Sequence, residues 1–182
     1  KYTNWPRHYV YPTIPISLKI VINARTLLLM QTLEGIITNN LVYTATNRIS
    51  EMDKIAIIQF LYEALDGLEP VKENIRKAMD YSTKEFLSFG GFTIVNKVED
   101  KIVGVAILNH TGMQGYIAEN ILVYLAVHKD FRGNGIATQM INQVKRHAKG
   151  DITLHLKQNA SLNKMYEKFG FSNSIVEMRL NR

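Results

Sequence analysis

One segment restricts the folds open to this chain more than any other: Leu125-Ala126-Val127-His128-Lys129-Asp130-Phe131-Arg132-Gly133-Asn134-Gly135-Ile136-Ala137. A buried strand runs into a turn bearing two glycines. The turn opens an amphipathic helix whose apolar face is Ile136, Met140, Ile141 and Val144. The first amides of a helix have no internal partner, and the helix dipole adds partial positive charge there. Gly133 and Gly135 remove side chains that would keep a phosphate away, while Lys129 and Arg132 add formal charge. The segment therefore reads as a phosphate or diphosphate site built largely from backbone N–H groups. The nucleoside-triphosphate loop requires Gly-Lys-Ser/Thr, but Gly135 is followed by Ile136-Ala137. The dinucleotide fingerprint fails too: Thr138 occupies its last position, and Asp151 precedes the next strand instead of ending it. Two glycines alone fit a bare structural turn equally well.

The charge distribution supports an anionic ligand at this place. The 182 residues carry a net +6. Residues 128–168 hold eight Lys/Arg against three acids (+5), whereas residues 44–127 hold eight against eleven (−3). Residues 1–43 add +3 and residues 169–182 add +1. A basic balance directs attention to nucleic acid, an acidic membrane or a phosphorylated small molecule. There is no cysteine, so disulfides, cysteine metal sites and a cysteine nucleophile are excluded. The hydrophobic share of 46% against 21% charged is that of a globular chain. The most apolar early stretch, Ile14–Ile37, is broken by Lys19, Asn23, Arg25, Gln31 and Glu34, so neither a membrane span nor a signal peptide is expected. A start at Lys1 reads as that of a fragment or processed product.

Three of the four prolines lie in the first fifteen residues with the only tryptophan. Residues 1–40 therefore read as an extension of unknown role, with a strand over Ile16–Ile22 and a helix over Ala24–Leu33. Residues 41–182 read as the main domain. A strand is expected at Leu41–Thr46. Ser50 and Asp53 suit a capping box opening a helix with Ile55, Ile58, Leu61, Tyr62 and Leu65 on one face. Pro70 suits the first turn of a second helix ending near Tyr81. Strands at Phe92–Val98 and Ile102–Asn109 flank a hairpin turn at Glu99-Asp100-Lys101. Tyr116–Val127 reads as one long strand, and the helix after the glycines runs to Lys149, with Gly150 at its C′ position. Ile152–Leu156 (strand), Ser161–Phe169 (helix), Phe171 and Val176–Leu180 (strand) complete the order β-α-α-β-β-β-α-β-α-β.

Arg132-x-x-Gly135-x-Ala137 and the independent segment Asn159-Ala160-Ser161-Leu162-Asn163-Lys164-Met165-Tyr166-Glu167-Lys168-Phe169-Gly170-Phe171 together resemble the GCN5-related N-acetyltransferase (GNAT) family. The first matches the family's Arg/Gln-x-x-Gly-x-Gly/Ala pattern and the second its Asn…Tyr-Glu-Lys-x-Gly-Phe segment, at the usual separation. The resemblance covers roughly residues 41–182. It implies an α/β (α+β) fold, a mixed central β-sheet with splayed strands flanked by helices. It implies an acetyltransferase moving the acetyl group from acetyl-CoA to a primary amine by direct transfer, without a metal. The pyrophosphate would lie on Arg132, Gly133, Asn134, Gly135, Ile136, Ala137 and Thr138. The pantetheine would pair with Leu125, Ala126 and Val127 and reach Asn159.

By the same resemblance Tyr166 matches the acid that protonates the departing thiolate, and an amide near Val127 the oxyanion donor. Outside the motif Tyr166 would read as a core aromatic. Glu119 stands where some members carry a catalytic base. Parity puts it on a strand face with Ile121, Val123 and Leu125, and a carboxylate there is either functional or at the wet end of the strand. His110 is a second candidate base. His128, His147 and His155 lack metal-ligand spacing. The family's acceptor wall falls on the acidic loop Asp66-Gly67-Leu68-Glu69-Pro70, which suits a cationic amine such as a polyamine, an aminoglycoside, a lysine or a peptide N-terminus. The other expectations are a cytoplasmic protein without nucleic-acid or membrane partners, with a homodimer left open. A catalytically silent acyl-CoA-binding regulator is the competing reading. A nucleic-acid-binding protein is a third, which lacks a matching motif.

Overall fold

A computed structural model describes residues 38–65, 70–156 and 160–173, together with 175, 178 and 180. Five strands form one sheet in the order β1-β2-β3-β4-β5: β1 (Asn39–Tyr43), β2 (Gly91–Val98), β3 (Lys101–His110), β4 (Asn120–Val127) and β5 (Ile152–Thr153). The first three pairings are antiparallel, and β4 with β5 is parallel. Helices α1 (Glu51–Ala64) and α2 (Lys72–Ser82) follow β1, α3 (Ile136–His147) links β4 to β5, and α4 (Ala160–Lys168) follows β5. This mixed sheet with flanking helices agrees with the fold expected from sequence.

The sheet is buried on both faces. One core joins Ile57, Leu61, Ile75 and Met79 of α1 and α2 to Val95, Val105, Ile107 and Ala126 of the strands. The other joins Ile136, Met140, Ile141 and Val144 of α3, and Tyr166 of α4, to Ile94, Ala106, Leu108 and Leu122. The buried residues of α3 are those its 3.6-residue period predicts. Ser50 caps α1, accepting from the Asp53 amide at 3.1 Å and donating to its carboxylate at 2.7 Å.

Several expectations are corrected. In α1 the buried residues are Lys54, Ile57, Ile58, Phe60 and Leu61, and Ile55 (61% exposed) and Tyr62 (44%) point outward. Apolar residues encircle this helix, so periodicity alone left its rotation open. Lys54 can occupy a buried position because its ammonium reaches Asp80 (2.9 Å), Glu51 (3.1 Å) and Glu85 (3.5 Å). β1 begins at Asn39, inside the segment read as an extension, and ends at Tyr43 because the Thr44 amide turns back to the Asn47 carbonyl. Pro70 precedes the cap residue Val71 and lies outside the first turn of α2. β4 starts only at Asn120, since Gly112 and Gly115, both with positive φ, keep 111–119 irregular. β5 is two residues long, not five. Gly150 has positive φ but falls two residues past the α3 cap residue Ala148, not one. Phe171 is in no strand. The strand and helix expected at 16–22 and 24–33, and Val176, Glu177 and Arg179 of the last expected strand, lie outside the described residues.

The rotation of α1 makes a direct prediction. Leu61→Ala should cost about 2–5 kcal/mol of unfolding free energy, and Ile55→Ala less than about 0.5 kcal/mol, by urea denaturation. Equal losses would mean the sheet-facing side has been misassigned.

Candidate active site

The site is organised by the parting of two strands. β4 and β5 pair only at Asn120↔Ile152 and Ile121↔Thr153, and no pairing joins Leu122–Val127 to 154–156. The same region of β4 carries a bulge: Ile107 faces Tyr124 but Leu108 faces Leu122, so Val123 is an extra residue. Val123 and Tyr124 therefore pack with the α1/α2 core, while Leu122 and Leu125 pack with the α3/α4 core. The single face expected for Glu119, Ile121, Val123 and Leu125 is thus broken, because parity inverts at the bulge.

At the far end of β4 the chain makes a 3-10 turn (Lys129–Phe131) and then the glycine turn. Gly133 (φ +81°) and Gly135 (φ +77°) both adopt the left-handed conformation, and a Cβ added at either would meet nothing within 4 Å. The turn is open as well as glycine-dependent. Gly135 is the cap residue of α3 and offers no side-chain acceptor. Among the described residues, no acceptor takes the amides of Gly133, Asn134, Gly135, Ile136, Ala137 or Thr138. The first helical bond is from Gln139 to the Gly135 carbonyl. Arg132 behaves differently from the rest of its group. Its amide donates to Lys129 (3.3 Å), and its guanidinium donates to the carbonyls of Val127 (3.2 Å) and Ala64 (3.1 Å). It ties the glycine turn to the end of β4 and the last turn of α1, and it occupies the Val127 carbonyl.

Tyr166 lies in the same core as Leu125, Val127 and Ile136, 8% exposed, edge-on to Phe169 (6.5 Å) and Phe171 (5.6 Å). Burial pushes its phenol above the ordinary tyrosine value, so it holds its proton throughout the neutral range. The fold thus brings together Tyr166, the end of β4 and the glycine turn. Asn159, Asp66 and Glu69 lie outside the described residues.

Glu119 stands one residue before β4, and its carboxylate accepts from the Asp151 amide at 2.8 Å. That amide, and then Glu119's own, hold the carboxyl below the usual carboxylate value. The stabilisation from this latch is complete above that usual value and is lost as pH falls through the lower folded one. Beside it, His110 Nδ1 lies 2.7 Å from Asn120 Oδ1. Sequence reasoning missed Asn120, since nothing in its surroundings distinguishes a buried asparagine from an exposed one. No group of three or more His, Cys, Asp or Glu that could hold a metal occurs among the described residues. No described helix is long and apolar enough to cross a membrane.

Comparison with known proteins identifies the family and the fold. Residues 90–173 match the model of the acetyltransferase (GNAT) domain. An acetyltransferase of Pectobacterium atrosepticum is 30% identical over an alignment of 132 residues, and the match covers 68% of this chain and 85% of that protein. The fold is shared with a possible acetyltransferase of Clostridium difficile 630 (TM-score 0.59, 18% identity, 80% of this chain and 97% of that one). It is shared also with an aminoglycoside N-acetyltransferase solved in complex with CoA (TM-score 0.58, 13% identity, 80% and 96%). The chain belongs to the GNAT family and is an acetyltransferase.

The two turn glycines give a prediction about stability. Gly133→Ala and Gly135→Ala should each cost about 1–2 kcal/mol through the left-handed backbone alone, with the fold retained by circular dichroism. A loss above about 4 kcal/mol would mean that a side chain there meets packed neighbours.

Proposed function

We propose that the protein transfers the acetyl group of acetyl-CoA directly to a primary amine. The observation that carries this is the parting of β4 and β5 next to the glycine turn: among the described residues, a strand edge without a partner runs into a helix N-terminus whose amides have no acceptor. The amides of Gly133–Thr138 take the pyrophosphate, and the net +5 of residues 128–168 favours a polyanion there. The edge of β4 at Leu125, Ala126 and Val127 pairs with the pantetheine, and Asn159 adds a side-chain hydrogen bond. Arg132 acts by holding the turn in place.

The attacking amine must be neutral, the tetrahedral oxyanion needs a donor, and the thiolate must be protonated as it leaves. An amide of β4 near Val127 serves the oxyanion. Tyr166 protonates the sulfur, a role that its burial and retained proton support. Glu119 is the proposed base; it stands before the opposite end of β4 from Val127, so the amine's proton reaches it through a chain of waters. Its carboxyl is held below the usual value, so it is ionised at neutral pH but only a weak base. The acidic 44–127 region and the loop bearing Asp66 and Glu69 favour a cationic acceptor, and an aminoglycoside N-acetyltransferase shares the fold.

Tyr166→Phe should lower kcat for thiol release by about 10²–10³-fold, the usual worth of a positioned acid, with the acetyl-CoA KM little changed. Wild-type turnover at neutral pH in that variant would remove Tyr166 as the acid. Because its phenol ionises above the ordinary value of 10.0, no alkaline fall in kcat should come from Tyr166 below that pH. A fall that disappears in Tyr166→Phe would contradict this. Reversing Asp66 and Glu69 to lysine should raise the KM of a cationic amine about ten-fold, equivalent to 1.4 kcal/mol, and leave that of acetyl-CoA unchanged. An unaltered amine KM would sink the cationic-acceptor assignment.

A further inference from the structure

At the closed end of the splay lies a hydrogen-bonded network, and one of its members, Asn120, has no part in the reaction as described. Asn120, the first residue of β4, is 0% exposed. A buried primary amide is costly unless both its ends are satisfied. Its Nδ2 donates to the carbonyls of Lys149 (2.7 Å) and Asp151 (3.1 Å), and its backbone amide donates to Asp151 as well (3.1 Å). Only an amino group can face two carbonyls, so the orientation of the side chain is fixed. Oδ1 must then accept from His110, which places the proton on Nδ1 and leaves Nε2 unprotonated in the neutral ring.

The neighbouring residue acts on the same segment. Glu119 accepts from the Asp151 amide at 2.8 Å, and a Cβ on Gly150 would come within 2.6 Å of that carboxylate. Lys149-Gly150-Asp151 is the connection from α3 to β5. It is held to the start of β4 through two of its three carbonyls and one amide. β5 itself contributes two residue pairs to the sheet, so this clamp adds to a short ladder at the point where the strands part.

We propose that Asn120 is a positioning residue: it fixes the point at which β4 and β5 part, and so the width of the cleft that receives the pantetheine. This rests on the acetyl-CoA reading above. Asn120→Asp keeps the shape and can still accept from His110, but it turns an oxygen toward two carbonyls. Asn120→Ser shortens the side chain without adding charge and is read in the same way should the aspartate variant not fold.

The test is CoA binding by titration calorimetry, with thermal melting and steady-state kinetics beside it. Ile57→Val, in the core on the opposite face of the sheet, serves as the control for lost stability. The expected result is a CoA Kd raised about ten-fold, the scale of one or two lost hydrogen bonds. The acetyl-CoA KM should rise in parallel, and the amine KM should not move. Ile57→Val should lower Tm and leave the CoA Kd unaltered. A CoA Kd within two-fold of wild type in both Asn120 variants would overturn the proposal, as would equal weakening by Ile57→Val. Failure of the wild-type protein to bind CoA would instead remove the acetyl-CoA reading, and this proposal with it. Wild-type CoA binding without turnover of any amine would count against the amine reading alone, since the Kd comparison still decides the role of Asn120.

Discussion

Backbone polar groups must find partners in the protein or in water, and the structure turns on a place where the described residues supply none. β4 is paired along its length with β3 but only at its first two residues with β5. Beyond that point no described residue pairs with its second edge, and it leads into a helix whose first amides have no acceptor among the described residues. An extended chain carrying amides and a diphosphate answers both needs, strand-like along β4 and anionic at the helix. The other features serve to hold this opening in shape. Arg132 secures its outer end to Val127 and Ala64, and Glu119 and Asn120 secure its closed end to the α3–β5 connection.

The two cores give the opening its asymmetry. Leu125 and Val127 face the α3/α4 side, where Tyr166 is buried, and Val123 and Tyr124 face α1 and α2. The bulge at Val123 makes this possible by reversing the strand's parity within the opening. The buried Tyr166 keeps its proton because its surroundings are apolar.

What was legible in the sequence and what was not divide along physical lines. The glycine turn and the Tyr166 segment were visible because their chemistry demands particular residues at fixed spacing. The apolar face of α3 was visible because polar residues fill its other side. The rotation of α1 was hidden because Ile55 and Tyr62 extend its apolar surface outward, and Lys54 is buried by virtue of carboxylates distant in sequence. The bulge and the brevity of β5 were hidden because both are properties of pairing, which composition does not encode. Glu119 stood out in the sequence as a carboxylate among apolar strand residues, but the Asp151 amide that engages it becomes its neighbour only through folding.

The central claim is that the parting of β4 and β5, with the adjoining glycine turn, is where acetyl-CoA binds. Hydrogen–deuterium exchange with and without saturating acetyl-CoA tests it most directly. The account predicts that peptides covering Gly133–Thr138 and Leu125–Val127 are slowed by the cofactor, because their amides acquire acceptors there, while those covering the outer face of α1 are unchanged. Protection that leaves the glycine turn and the β4 edge untouched would contradict it.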